Sequence, residues 1–336
     1  MTFENVLVTG SDTHLGAAVT EMLSQNEVTV VVCASAEELA RLPKNPLLKP
    51  LKMDLLQEFD ALPYLPRIDA VVHCTEVRAG TKKQLTSANI ISTKNALAIA
   101  KASGARRFVH ISTAQTYAVK TDLVDVGEGT KLPKARNEYV RTKRAAEALV
   151  QEDRQLHSVI LRPALIYGAS DHQLFSRLVR LAEKQPLPFL CGGHAVRDIL
   201  HIDDAVQAII AALSVETLAP GSAFNIASGE QIRTTDIIEM ITRQMDLPIL
   251  WKAEKASLAL RKARRAERAA TLPFLRREQL LTSEIVEWLA YKFTLDISAA
   301  EEQLGWSPKV SWEEGLRSLF SPRAVTCKSE VFPRSA

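Results

Sequence analysis

The sequence predicts an α/β fold in which a doubly wound parallel sheet carries helices on both faces. Two observations predict it. Short β-branched runs alternate with longer stretches of helical periodicity through the first half of the chain. Those runs are apolar from end to end rather than in alternation, as strands covered on both faces must be. The runs at 5–9, 28–33, 70–74, 107–111 and 158–161 read as strands, and 16–25, 88–103 and 137–151 read as helices between them.

The first strand leads through Thr9, Gly10, Thr13, Leu15 and Gly16 into a helix. A strand-to-helix turn of this kind suits a dinucleotide pyrophosphate, because glycines permit the turn and the close packing while amides at the helix N-terminus supply donors. Thr13 stands where the full pattern has its middle glycine, and its branched Cβ is expected to crowd a phosphate. An ordinary strand-to-helix turn is the competing reading. At the end of the second strand an acid would bind ribose hydroxyls and an arginine a 2′-phosphate. Cys33, Ala34 and Ser35 stand there instead, with Ser35 reading as the cap of the next helix, so NAD and NADP are both open. Asp54, after the third apolar run, is either an adenine contact or a turn-forming carboxylate.

The strand at 107–111 ends in Ser112 and Thr113, and some two dozen residues later come Tyr139 and Lys143. Residues at i and i+4 share one helix face, so phenol and ammonium can address one site. A phenol of pKa ~10 is mostly protonated at neutral pH, and a nearby ammonium favours the phenolate, which makes the pair suited to exchanging a proton. The alternative is a surface helix with Tyr139 packed at its edge and Lys143 in solvent.

Composition narrows the classes. The chain has 336 residues, 46% hydrophobic and 24% charged, enough for a substantial core. A net charge of +3 is no footprint for nucleic acid over the whole surface. Cys33, Cys74, Cys191 and Cys327 form neither a CxxC nor a Cys/His pattern, so no metal site or disulfide framework is expected and a cytoplasmic setting fits. The opening residues lack the layout of a signal peptide, and no apolar run approaches the ~20 residues of a membrane-spanning helix. Residues 252–277 hold nine cations against Glu254 and Glu267. They read as a solvated basic helix, or as a face for an acidic substrate, an acyl carrier or an anionic membrane surface.

Further ordered motifs extend the pattern: Val71, Val72 and His73; Asn89; Ile111 through Tyr117; Leu161, Arg162, Pro163, Tyr167 and Gly168; Arg197, Asp198, His201, Asp203 and Asp204; Phe224 through Glu230; and Leu304, Gly305 and Trp306. Together these resemble the extended short-chain dehydrogenase/reductase family, which contains NAD-dependent epimerases and dehydratases of nucleotide sugars and 3β-hydroxysteroid dehydrogenase-like enzymes. The resemblance covers about 5–320. It implies a Rossmann-type domain at 1–168 and about 195–220, a smaller discontinuous substrate domain at about 169–194 and 221–320, and a tail at 321–336.

The same resemblance implies catalytic roles. Thr113 would hold the substrate oxygen, Tyr139 would act as general acid/base, and Lys143 would lower the tyrosine pKa and hold the nicotinamide ribose. Ser112 is a competing hydroxyl on the substrate side, Asn89 a supporting residue. Gly10, Thr13, Leu15, Gly16, Ser35 and Asp54 would contact the NAD or NADP cofactor. The expected reaction is reversible hydride transfer at a secondary alcohol carbon. Arg197 on a diphosphate favours a nucleotide sugar, since a guanidinium grips phosphate bidentately. A steroid- or lipid-type dehydrogenase is the alternative, because Val286 stands near the place of a second phosphate-binding arginine. A non-catalytic dinucleotide sensor is the third reading. The resemblance also implies a homodimer packed through 88–103 and 137–151.

Overall fold

The computed structural model describes residues 3–34, 39, 43–57, 65–117, 121–135, 137–168, 174–270 and 280–320. Seven parallel strands form the main sheet: β1 Asn5–Thr9, β2 Thr29–Ala34, β3 Leu48–Lys52, β4 Ala70–His73, β5 Arg107–Ile111, β6 His157–Pro163 and β7 Ser222–Ile226. Their order is β7-β6-β5-β4-β1-β2-β3. The winding reverses between β1 and β4, so a crevice opens beyond the carboxyl ends of these strands, where open α/β sheets bind ligands.

Alternation along each strand sends neighbours to opposite faces. Val8, Val32 and Val72 pack on one face against Val19 and Leu23 of helix α1 (His14–Gln25) and, later in the chain, Val206 and Ile209 of the helix Ile202–Ser214. Leu7, Val71, Phe108 and Ile160 face the other way, against Ile99 of Ser92–Ala102 and Val150 of Glu138–Glu152. Lys82–Thr86, a π turn at Ser87–Ile91 and Ser92–Ala102 follow one another directly, so the helix expected from 88 starts earlier and carries a wide turn.

A second core joins Leu178, Ile237, Ile241, Ala259, Ile285, Leu289 and Leu316. Beside it lies a four-stranded sheet ordered Ile232–Arg233, Val196–Arg197, Phe293–Leu295, Leu123–Val126. β7 belongs to the main sheet, whereas Leu123–Val126 and Val196–Arg197 pair in the small sheet. Strands this short carry no readable periodicity, and their partners lie far away in sequence.

Candidate active site

The turn after β1 is built on two glycines. Gly10 has φ +66°, and a Cβ there would stand 2.6 Å from the Thr75 amide nitrogen; a Cβ on Gly16 would stand 2.0 Å from the Gly10 carbonyl oxygen. Thr13 has ordinary extended backbone, φ −77°, and caps α1. Its hydroxyl donates to the Gly10 carbonyl at 2.7 Å and accepts from the Gly16 amide at 3.1 Å. The side chain expected to crowd a phosphate thus also closes the loop on itself. Thr13, His14 and Leu15 face a cavity of about 490 Å³. A helix N-terminus opening on a cavity, behind glycines whose Cβ would strike backbone, fits a dinucleotide pyrophosphate.

Across the same cavity stand Thr113 and Tyr139. Asn137 caps the helix Glu138–Glu152 through its side chain, which sets Tyr139 in the first turn and Lys143 one turn on, both buried. Lys143 Nζ donates to the Ile111 carbonyl at 2.7 Å, tying that helix to the end of β5. An unforeseen acid joins them: Tyr139 donates its hydroxyl proton to Glu76 Oε2 at 2.9 Å, and Lys143 Nζ lies 3.5 Å from the same oxygen. Burial and then the Glu76 carboxylate hold the Tyr139 phenol well above its ordinary value, with Arg78 and a hydrogen bond from Thr113 acting the other way. The net direction is opposite to the lowering expected from Lys143, with burial the larger cause and the Glu76 carboxylate the second. Cys74 also lines the cavity, and burial pushes its thiol up to about 12, so it is no thiolate nucleophile.

Ser112 has another task. Its hydroxyl donates to Glu147, whose carboxylate also takes Arg162 Nε at 3.0 Å and Nη2 at 2.7 Å. Arg162 Nη1 donates to the Tyr117 hydroxyl at 3.0 Å, and that hydroxyl donates to Asn225 Oδ1 at 2.7 Å. Ser112, which also lines the cavity, thus joins a buried network that knits β5, β6 and β7 together. Asn89, within the π turn, accepts from the Val77 amide at 2.9 Å and donates to the Val77 carbonyl at 3.0 Å and to Thr142 at 2.9 Å. It pins the segment carrying Glu76 and Arg78 against the helix of Tyr139.

Arg197 borders the cavity, yet its Nε donates to the Trp288 carbonyl at 3.1 Å and its Nη2 to the Glu287 carbonyl at 2.7 Å. It satisfies the end of the helix Ser283–Ala290. The rest of its motif is equally occupied. Asp198 takes the Leu295 amide at 2.6 Å, His201 caps the following helix, and Asp204 takes the amides of Lys309 and Val310 at 2.9 and 3.0 Å.

Burial raises the Asp198 carboxyl to about 7, and its Oδ1 has no hydrogen-bond partner among the described residues. A folded pKa above the unfolded ~3.9 contributes stability that is complete below about pH 4 and lost as pH rises through about 7. Asp198→Asn is therefore expected to flatten the fall in unfolding free energy over that window, a difference on the order of 3 kcal/mol. Urea unfolding at both ends of the window checks it, and equal slopes for the two proteins would refute it.

A model described as the NAD dependent epimerase/dehydratase family matches residues 6–227. The chain belongs to that family. It is an enzyme of the extended short-chain dehydrogenase/reductase type. It is 32% identical over 293 residues to a 2-alkyl-3-oxoalkanoate reductase of Stenotrophomonas maltophilia, covering 82% of this chain and 86% of that protein. It is 28% identical over 322 residues to the uncharacterized protein YbjS of Escherichia coli, covering 93% and 95%. The crystal structure of the UDP-glucuronic acid 4-epimerase from Bacillus cereus in complex with NAD superposes with a TM-score of 0.70 at 23% identity, covering 98% of this chain and 99% of that one, a likeness of fold.

The other expected contacts of this family member are placed as follows. Asp54 accepts from the Leu56 amide at 2.9 Å and from Gln57 at 2.8 Å, the turn-forming arrangement. Ser35 lies outside the described residues. The basic stretch forms the strand Trp251–Glu254 and the helix Ala256–Ala270, with 271–279 outside the described residues. Lys262 pairs with Glu254 at 2.5 Å, and Arg264, which borders the cavity, lies 3.4 Å from Glu287. Glu76 and Glu147 escaped the reading of the sequence. For Glu76 a signal existed: an acid within three residues of the carboxyl end of an apolar parallel strand faces the binding crevice.

Proposed function

We propose that the protein is an NAD(P)-dependent reductase of an oxo group carried on an apolar body, with 2-alkyl-3-oxoalkanoates as the first class to try. The observation that carries this reading is the commitment of Arg197 to the carbonyls of Glu287 and Trp288, which leaves the motif arginine engaged where a diphosphate would need it. Val140, Leu165, Ile166, Trp288, Phe293 and Leu295 border the cavity instead. The Stenotrophomonas maltophilia relative named above is a reductase of this substrate class.

A bound nicotinamide supplies hydride to the carbonyl carbon. The chain handles the proton and the alignment. Tyr139 donates its hydroxyl proton to the carbonyl oxygen, Thr113 holds that oxygen, and Lys143 orients the site through Ile111. Gly10, Thr13, Leu15 and Gly16 hold the pyrophosphate.

The test follows absorbance of the reduced nicotinamide in the presence of a 2-alkyl-3-oxoalkanoate, with NADH and NADPH in parallel. Stoichiometric loss is expected, and the faster of the two names the cofactor. Interconversion of UDP-glucose and UDP-galactose with no net change in cofactor, and no loss with the oxo acid, would overturn the reading in favour of a nucleotide sugar.

A further inference from the structure

The acid beside the reacting phenol has no counterpart in the roles assigned above. Glu76 Oε2 is 2.9 Å from the Tyr139 hydroxyl and 3.5 Å from Lys143 Nζ. Its placement is held from both sides of the next residue, since the Val77 amide and carbonyl are both bonded to Asn89. Of the three titratable groups it alone reaches water to any extent: Tyr139 is 5% exposed, whereas the side chains of Lys143 and Glu76 are 1% and 22% exposed. Among the described residues, these charged groups stand near the phenol. Glu76 and Arg78 follow β4, with the Arg78 guanidinium 5.5 Å from the centre of the Tyr139 ring; Lys143 comes from the same helix as the phenol; and Glu284, 3.9 Å from Arg78, faces them from Ser283–Ala290.

We infer that Glu76 is a further catalytic residue of this site, which keeps Tyr139 in its neutral, proton-donating form and carries protons between that phenol and solvent. The inference rests on the reading of Tyr139 as the proton donor. In a reductive turnover the phenolic O–H breaks as the O–H of the product alcohol forms. The phenolate then takes a proton from the Glu76 carboxyl group, which has itself been protonated by water from bulk solvent. Charge and protons balance over the cycle with one proton drawn from solvent. An acid so placed suits a site that spends its time donating protons to a carbonyl, and it opposes the phenolate that alcohol oxidation must begin from.

Ultraviolet difference titration of tyrosinate tests the first half without any substrate. Subtracting Tyr139→Phe from the wild type isolates the one phenol among the five tyrosines. It is expected to stay un-ionised past pH 10, its ordinary midpoint. In Glu76→Gln, with Glu76→Gln/Tyr139→Phe subtracted, its ionisation constant is expected to rise about tenfold or more. Glu76→Ala should behave alike, which guards against a hydrogen bond restored by the amide. An unchanged ionisation constant in both variants, or a wild-type tyrosinate appearing below pH 10, overturns the inference. The relay half is read from turnover of Glu76→Ala with added formate. A rise with formate concentration supports it, and a flat response overturns it. A Tyr139→Phe protein that keeps full turnover would instead sink the reading of Tyr139, so the two failures are distinct.

Discussion

Replacement of Tyr139 by phenylalanine is expected to lower turnover about 10²- to 10⁴-fold, the contribution of one positioned proton donor, while dinucleotide binding persists. The ring is retained and keeps its packing on Leu85 and Val140, so the helix should hold its place. Only the hydroxyl bonded to Glu76 is lost. The carboxylate it leaves is partly exposed and can take up water in its place. Stopped binding of NADH or NADPH, measured by quenching of tryptophan fluorescence, would show damage to the turn rather than to the chemistry. Turnover within a few-fold of wild type would remove Tyr139 from the reaction.

Arg162→Met is expected to cost about 3–5 kcal/mol of unfolding free energy, because it strands the Glu147 carboxylate in the interior. The pair is bidentate at 2.7 and 3.0 Å, with side chains 5% and 4% exposed. Removing both charges together is a different matter. Arg162→Met/Glu147→Leu removes both charges of the pair, and it should recover most of that loss, since an apolar pair of similar volume is often as stable as the ion pair it replaces. Urea unfolding of the single and double variants reads the difference. Equal destabilisation would mean that the packing of Arg162 over Tyr117, and not the charge of Glu147, carries the contribution.

Both variants touch residues whose importance was unequally visible. Tyr139 and Lys143 were legible because a helix repeats every 3.6 residues, so their spacing implied a shared face before any partner was known. Gly10 and Gly16 were legible because few residues tolerate a positive φ or a carbonyl at 2.0 Å from Cβ. The capping role of Thr13 was not legible, because its hydroxyl bonds to Gly10 and Gly16 depend on how the turn closes, which the residue type does not state. Arg197 was legible as part of a motif, but its partners are the carbonyls at the end of a helix some ninety residues later. Glu147 carried no local signal, since its partner Arg162 comes from β6.

The amino-acid sequence by itself therefore determined five of the seven strands of the parallel wound sheet, the glycine turn and the helix face shared by Tyr139 and Lys143. These follow from local sterics, from unbroken apolar runs and from the 3.6-residue helical period, which nearby residues dictate without help. Only the tertiary structure decided that Glu76 stands beside both Tyr139 and Lys143, that Ser112 bonds to Glu147, and that Arg197 holds a helix end. Those outcomes depend on charges and hydrogen-bonding groups brought within about 3 Å by a chain that is long between them, and both Coulomb energy and hydrogen bonding are settled by distance in space.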